Sequence, residues 1–494
     1  MSKCSGMVID RRAVRELGSA YGGNLILDFP PNCERPSLVW RGDSIVLGPS
    51  SPRWAMRAHL YEDTGIYERP AGFVNLRPVC SAPQLFEADK DSPVTADAFL
   101  VPPFKMKGTN YAIYSAADFG ALYGERLYDP TTCFSMPYKL GGGVCAHACL
   151  YMCCATLSRQ GFKVPATHEI SFAIAKLKHA IAQDGVFDIR GLTASEMKLL
   201  FERELIRGAA ILELGRVKAD NKNRSKGSGA NSTNSELQIT YLIHQYLRQH
   251  LPVIMIVDCA KLYPERRPYL EAKYPNQKEF AHAVVLIGVK FRKEKNRVLP
   301  FPEAFVYHDP LFGPYLEKTG AELISSATFE DDPELLAFLV PLPKGITVGI
   351  SDVWRYFILY EESGIGILWR FLIFIIPPKH LVRQFSLVAR EKLAGTYFSI
   401  SSTKKIYELL RKNIERLPPW VWAVEMYADL SRFSNQEASA VWLFDATTRN
   451  ISKPPHGLFA FCQHEVFNCW LEGMSVSNLV VRGPLRVQRN GISL

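Results

Sequence analysis

Three short segments carry side chains whose types and spacing could do nucleophilic chemistry. Gly141 to Met152 reads Gly-Gly-Gly-Val-Cys-Ala-His-Ala-Cys-Leu-Tyr-Met, Phe280 to Val289 reads Phe-Ala-His-Ala-Val-Val-Leu-Ile-Gly-Val, and Val306 to Pro314 reads Val-Tyr-His-Asp-Pro-Leu-Phe-Gly-Pro. In the first, Cys145 stands where a glycine-rich loop becomes an apolar helix. Unpaired N–H groups and the helix dipole at such a start favour the thiolate and lower the thiol pKa. In the second, His282 opens an apolar strand. In the third, Asp309 follows a strand and precedes Pro310, a rigid position from which a carboxylate reaches the far nitrogen of an imidazole. Cysteine, histidine and aspartate together supply the nucleophile, base and orienter of a thiol hydrolase.

The surrounding pattern indicates the elements that hold these residues. Val144 to Leu157 is apolar almost throughout, which predicts a buried helix. A second helix is expected over Thr193 to Leu205, with Ser195 and Glu196 in its first turn, and a third over Tyr241 to His250. Pro252 to Val257, Ala281 to Val289 and Ala304 to Tyr307 read as strands. Between these groups, residues 216–236 are polar and rich in Gly, Ser and Asn, the composition of a flexible surface insertion. Residues 1–125, with short apolar runs separated by turn residues, suggest a β-rich N-terminal domain. Residues 326–494 suggest a mixed α/β C-terminal domain, with a helix at Lys404 to Arg416, strands near Trp420 to Tyr427, Ala440 to Phe444 and Gly457 to Cys462, and a core of Trp420, Trp422, Trp442 and Phe444.

Composition sets the outer limits. The chain has 494 residues, 47% of them hydrophobic, and a formal net charge of +9. That is enough apolar content for several cores and excludes a disordered or collagen-like chain. The basic residues are spread out, with no lysine- and arginine-rich block interleaved with aromatics, so no nucleic-acid partner is expected. The most apolar run, Gly364 to Ile376, is interrupted by Arg370 and ended by Pro377-Pro378, too short for a membrane span. No apolar signal segment follows Met1, and the eleven cysteines therefore read as free thiols of a cytoplasmic protein.

With these residues in view, the sequence resembles a known family. Val144 to Met152 is similar to the Asp-Cys-Gly-x-Ala-Cys-Leu-x-Met signature of papain-like cysteine peptidases, the bacterial enzymes that cut bacteriocin leaders after a double glycine. His282 to Gly288 resembles that family's histidine strand, and Asp309-Pro310 with Gly313 its Asp-Pro-x-x-Gly turn. Gly191-Leu192-Thr193 and Pro252-Val253-Ile254 match in order between them. The resemblance covers residues 130–320. It implies an α+β fold with a papain-like core at 126–325, catalytic Cys145, His282 and Asp309, a protein or peptide substrate cut after small residues such as glycine, and no cofactor or metal.

The sequence departs from the family at the oxyanion hole. A glutamine usually stands six positions before the cysteine, and here that position is Lys139, beside Tyr138. Tyr138, Lys139 and Gly143 are thus the candidates for oxyanion and substrate binding. Two other outcomes fit the same residues: an impaired papain-like scaffold that binds and regulates, or a deamidase or transglutaminase. A zinc site on Cys145, Cys149 and Cys153 is disfavoured, because ligands from one helix cannot surround a tetrahedral ion. Each residue also has a plain structural reading: a packed core cysteine, a strand-end histidine, and an aspartate in an ordinary turn.

Overall fold

The computed structural model describes residues 25–28, 56–63, 68–77, 94–106, 110–116, 131–135, 145–158, 164–165, 167–181, 192–206, 210–216, 231–273, 275, 277–294, 297–329, 335–354, 357, 382–397, 415, 417–427, 437–438, 440–447, 457–462, 465–467, 479–480 and 485–486. The fold is α+β, and the chain divides into two compact units, Met1–Pro341 and Leu342–Leu494.

The first unit holds two antiparallel sheets. In the smaller, β1 (Leu25–Asp28), β2 (Met56–Asp63), β3 (Glu68–Arg77) and β4 (Val94–Leu100) run in order. β5 (Tyr111–Ile113) leaves this sheet, and β6 (Thr132–Phe134) returns to pair with β4. Across β2 and β3, buried Arg69 donates to buried Glu62 at 3.0 Å and to the Pro102 carbonyl, and the Phe104 N–H also donates to the Glu62 carboxylate.

The larger sheet has seven strands. β7 is Ala210–Arg216, β8 Val253–Asp258, β9 Ala281–Glu294, β10 Arg297–Asp309, β11 Gly313–Thr319 and β12 Leu335–Pro341. Their order is β11-β10-β9-β8-β12-β7, and β5 pairs with β9 over Gly288 to Lys290, beyond the end of the β8 pairing. Among the described residues, the α-helices before β8 are α1 (Cys145–Leu157), α2 (Thr167–Ile181), α3 (Ala194–Leu200) and α4 (Asn231–Arg248). α1 is apolar on all sides and correspondingly buried over nearly its whole length. Thr193 and Glu196 close a capping box at the start of α3, and a π-helical turn, Phe201–Leu205, completes the segment expected to be helical.

Several boundaries differ from those read in the sequence. Arg216 ends β7 and Asn231 already begins α4, so the polar segment 216–236 is framed by regular structure at both ends; residues 217–230 lie outside the described residues. The strand at Tyr111 to Ile113 belongs to the larger sheet, and Thr132 to Phe134 to the smaller one, so the two sheets interleave across the expected boundary at 125/126. β12 lies beyond 325/326 yet completes the larger sheet between β8 and β7. Backbone pairing, which composition does not report, decides each case.

In the second unit, β13 (Val382–Ala389), β14 (Trp420–Tyr427), β15 (Glu437–Ala438), β16 (Ala440–Asp445), β17 (Gly457–Cys462), β18 (Glu465–Phe467), β19 (Leu479–Val480) and β20 (Leu485–Arg486) are all antiparallel. Trp422, Trp442 and Phe444 are buried as expected. Trp420 is half-exposed, a correction to the expected core. The buried Glu425 carboxylate accepts hydrogen bonds from Ser386, Tyr397 and Tyr427. The apolar run 364–376 and the expected helix 404–416 lie outside the described residues. Among the described residues no helix is long and apolar enough to cross a membrane.

Gly288 is where β5 crosses β9 closely. A Cβ there would sit 2.5 Å from the Ala112 carbonyl oxygen and 2.8 Å from Ile113 Cδ1. Gly288→Ala is expected to cost about 1–3 kcal/mol, the usual penalty for overpacking, read as a lower urea midpoint. An unchanged midpoint would remove β5 from this sheet.

Candidate functional site

Cys145 is the first residue of α1, as the glycine-to-apolar transition predicts, and it is partly exposed. His282 is the second residue of β9, cross-strand to Val257 on β8. Asp309 is the last residue of β10, the antiparallel neighbour of β9. The start of one strand and the end of the other therefore coincide, bringing together residues far apart in the chain. Bulges at Val306/Tyr307 and Tyr307/Asp309 re-aim the end of β10.

His282 Nε2 and Asp309 Oδ1 are 2.8 Å apart, both side chains buried. That contact leaves Nδ1 for the other partner, and the His282 side chain acts on the Cys145 thiol, favouring its anion. The Ala283 N–H likewise acts on the Cys145 thiol. Burial by itself would raise the thiol pKa, but His282 and the Ala283 N–H outweigh it, and the net direction is downward. Burial would lower the His282 pKa; the Asp309 carboxylate and the Cys145 sulfur overcome this and lift it to about 10. The pair thus favours thiolate and imidazolium.

Asp309 is held by more than its histidine. Oδ1 also accepts from the Leu311 N–H at 2.8 Å and the Phe312 N–H at 3.1 Å, the local turn that Asp before Pro310 favours. Oδ2 accepts from the Tyr263 hydroxyl at 2.7 Å, which lies 3.1 Å from the Tyr307 hydroxyl. Burial and the Asp309 charge push the Tyr263 pKa far up, so it stays a neutral donor. The Phe312 ring stands 4.4 Å from that of Tyr263 and 6.4 Å, edge-on, from the His282 ring. Tyr263 was not anticipated from the sequence: it belongs to the connection after α5 (Cys259–Leu262), and no spacing rule ties it to Asp309. Tyr307 and Phe312 flank Asp309 in the chain, and that proximity was the available signal.

The other histidines and cysteines near the site differ sharply in electrostatics. His308 sits beside Asp309 in sequence, yet it accepts from the Tyr315 N–H and contacts Thr132 Oγ1 at 3.0 Å. Burial lowers its pKa to about 3. Cys149 and Cys153 are driven well up by burial, and Cys154 to about 12. Cys259 is likewise pushed to about 12, by burial first and then by Asp309 and Asp258. Tyr138, Lys139 and Gly143 lie outside the described residues. Among the described residues no group of three or more His, Cys, Asp or Glu could hold a metal ion. No protein-family model, no curated protein and no solved structure matches this chain.

The lowered thiol and raised imidazole pKa values fix the sign of the pH dependence. The ion pair exists above the Cys145 pKa and persists until His282 loses its proton near pH 10. Alkylation of Cys145 by iodoacetamide should therefore begin below the ordinary thiol range of about 8.5, while Cys149, Cys153, Cys154 and Cys259 stay unmodified until unfolding. His282→Ala should move the onset upward. Tyr263→Phe, which removes one donor from a buried carboxylate, should cost about 1–3 kcal/mol and also shift the onset upward. An onset unaffected by His282→Ala would dissolve the pair.

Proposed function

We propose that this protein is a thiol hydrolase whose papain-like core is built on α1 and the larger sheet, cleaving a peptide or isopeptide bond. The observation that carries the reading is the His282–Asp309 contact at 2.8 Å, with the same His282 ring favouring the Cys145 thiolate. A helix bearing the cysteine at its start, packed against an antiparallel sheet bearing the histidine, supports the same architecture. The resemblance of the cysteine and histidine segments to double-glycine peptidases favours a cut after a small residue such as glycine, and bacterial relatives. A cytoplasmic setting with a protein or peptide partner is part of this proposal.

The reaction follows from the residues present. The Cys145 thiolate attacks the amide carbon and forms the carbon–sulfur bond of a tetrahedral intermediate. Its oxyanion is met by the Cys145 backbone N–H at the helix start, with Tyr138 or Lys139 assigned the second donor. The carbon–nitrogen bond then breaks, and His282 gives its Nδ1 proton to the departing amine. Water attacks the thioester and surrenders a proton to His282. The acid product leaves, and the thiolate–imidazolium pair is restored. Asp309 keeps the ring oriented throughout.

A peptide library derived from whole-cell digests, analysed by mass spectrometry, tests the proposal. Wild type is expected to produce new termini that Cys145→Ala does not. Asp309→Asn should lower the rate by roughly 10²–10⁴-fold, the usual contribution of a properly oriented base. Conversion of amides to acids without chain cleavage would instead make it a deamidase. Fast alkylation of Cys145 with no processed peptide would favour the impaired scaffold.

A further inference from the structure

Among the described residues, Arg266 is a cation near Asp309 with no ion-paired carboxylate. Arg266 ends the 3-10 turn Pro264–Arg266, three residues after Tyr263, and its side chain is exposed. Its guanidinium lies 5.4 Å from the centroid of the Phe312 ring. Among the described residues no carboxylate forms an ion pair with it, and the adjacent Glu265 does not close onto it. By contrast, Arg267, the next residue, is engaged with Glu271 at 2.7 Å.

The Phe312 ring bounds how far this charge is from the His282 imidazole. Its centroid is 6.4 Å from that of His282, so the Arg266 guanidinium is no more than about 12 Å from the imidazole. An extended chain advances about 3.3–3.6 Å per residue. A carboxylate on a substrate residue within about three positions of the scissile bond therefore reaches it. A cation–π contact with the ring restrains the guanidinium, and with no ion-paired carboxylate among the described residues its N–H groups can meet an incoming carboxylate.

We propose that Arg266, presented on Phe312, is a specificity-determining residue that selects substrates with a carboxylate, either an acidic side chain or a free C-terminus, close to the scissile bond. This rests on the thiol-hydrolase reading, and the probes are chosen so that the two can fail separately.

The experiment compares second-order alkylation of Cys145 by two probes of the same chemistry, anionic iodoacetate and neutral iodoacetamide, on the full chain at low ionic strength. At such separations a single charge near a protein surface alters an anion's encounter about two- to tenfold, and salt screens it. Arg266→Gln is expected to lower the iodoacetate rate by about two- to tenfold with the iodoacetamide rate unchanged. Arg266→Lys should retain most of the preference for the anion, and added salt should bring wild type toward Arg266→Gln. Because Arg266 is exposed, these variants should keep the wild-type circular dichroism and urea midpoint. If iodoacetamide labels Cys145 rapidly but the ratio of the two rates is the same in wild type and Arg266→Gln, the assignment is overturned while the hydrolase reading stands. If iodoacetamide does not label Cys145 preferentially, the thiolate is absent and both readings fall.

Discussion

Burial of the Asp309 carboxylate is the constraint that organises the site. An unpaired charge in a protein interior costs several kcal/mol, and only donors aimed at it offset that cost. Asp309 has no exposed surface, and its two oxygens receive His282 from β9, Leu311 and Phe312 from the turn into β11, and Tyr263 from the segment between β8 and β9. One side chain thus pins three separate stretches of chain. The Asp258 carboxylate does related work nearby: it accepts from the Ala260 and Phe280 N–H groups, which sets the chain's entry into β9 two residues before His282.

The same burial separates residues of identical type. Cys145 and Cys149 are one helical turn apart on α1, and burial acts on both, yet their thiols shift in opposite directions. The difference is surroundings: Cys145 has the His282 ring and the Ala283 N–H acting on it, whereas Cys149 has the apolar interior and the like-signed Cys145, Cys153 and Asp309. His282 and His308 form a second such pair. One faces a carboxylate and is held charged; the other faces a hydroxyl and a backbone N–H and is kept neutral. In each pair the environment, not the residue type, decides the chemistry.

His308 has a structural part in positioning the site. Together with Thr132 on β6 and Tyr315 on β11 it forms a buried polar network that ends on the Leu100 carbonyl of β4. The network ties the smaller sheet to the β10–β11 hairpin, the same hairpin that presents Asp309. Every member has a partner, the condition under which buried polar groups rigidify rather than destabilise. The N-terminal strands are therefore bonded directly to the hairpin that carries the acid.

Much of the site was readable in the sequence, because it rests on local signals. A glycine run entering an apolar helix puts a cysteine at a helix start, an apolar run of strand length puts a histidine on a strand, and Asp-Pro puts a carboxylate in a turn. In the second unit the apolar runs at Trp420 to Tyr427, Ala440 to Phe444 and Gly457 to Cys462 mark β14, β16 and β17, and around the site the runs of α1, α3, β8 and β9 do the same, whereas α2 and the first ten residues of α4 were not read. What the sequence did not contain was pairing. Which strands lie side by side, that β5 and β12 join the larger sheet, that Trp420 stays half-exposed, and that Tyr263 reaches Asp309 are long-range matters of register and packing. The residue types and their order came from sequence alone. A helix start already favoured the Cys145 thiolate; that His282 and the Ala283 N–H act on this thiol, and that the Arg266 guanidinium lies over Phe312, came only from the fold, because such effects depend on which charges and N–H groups burial brings within a few ångströms.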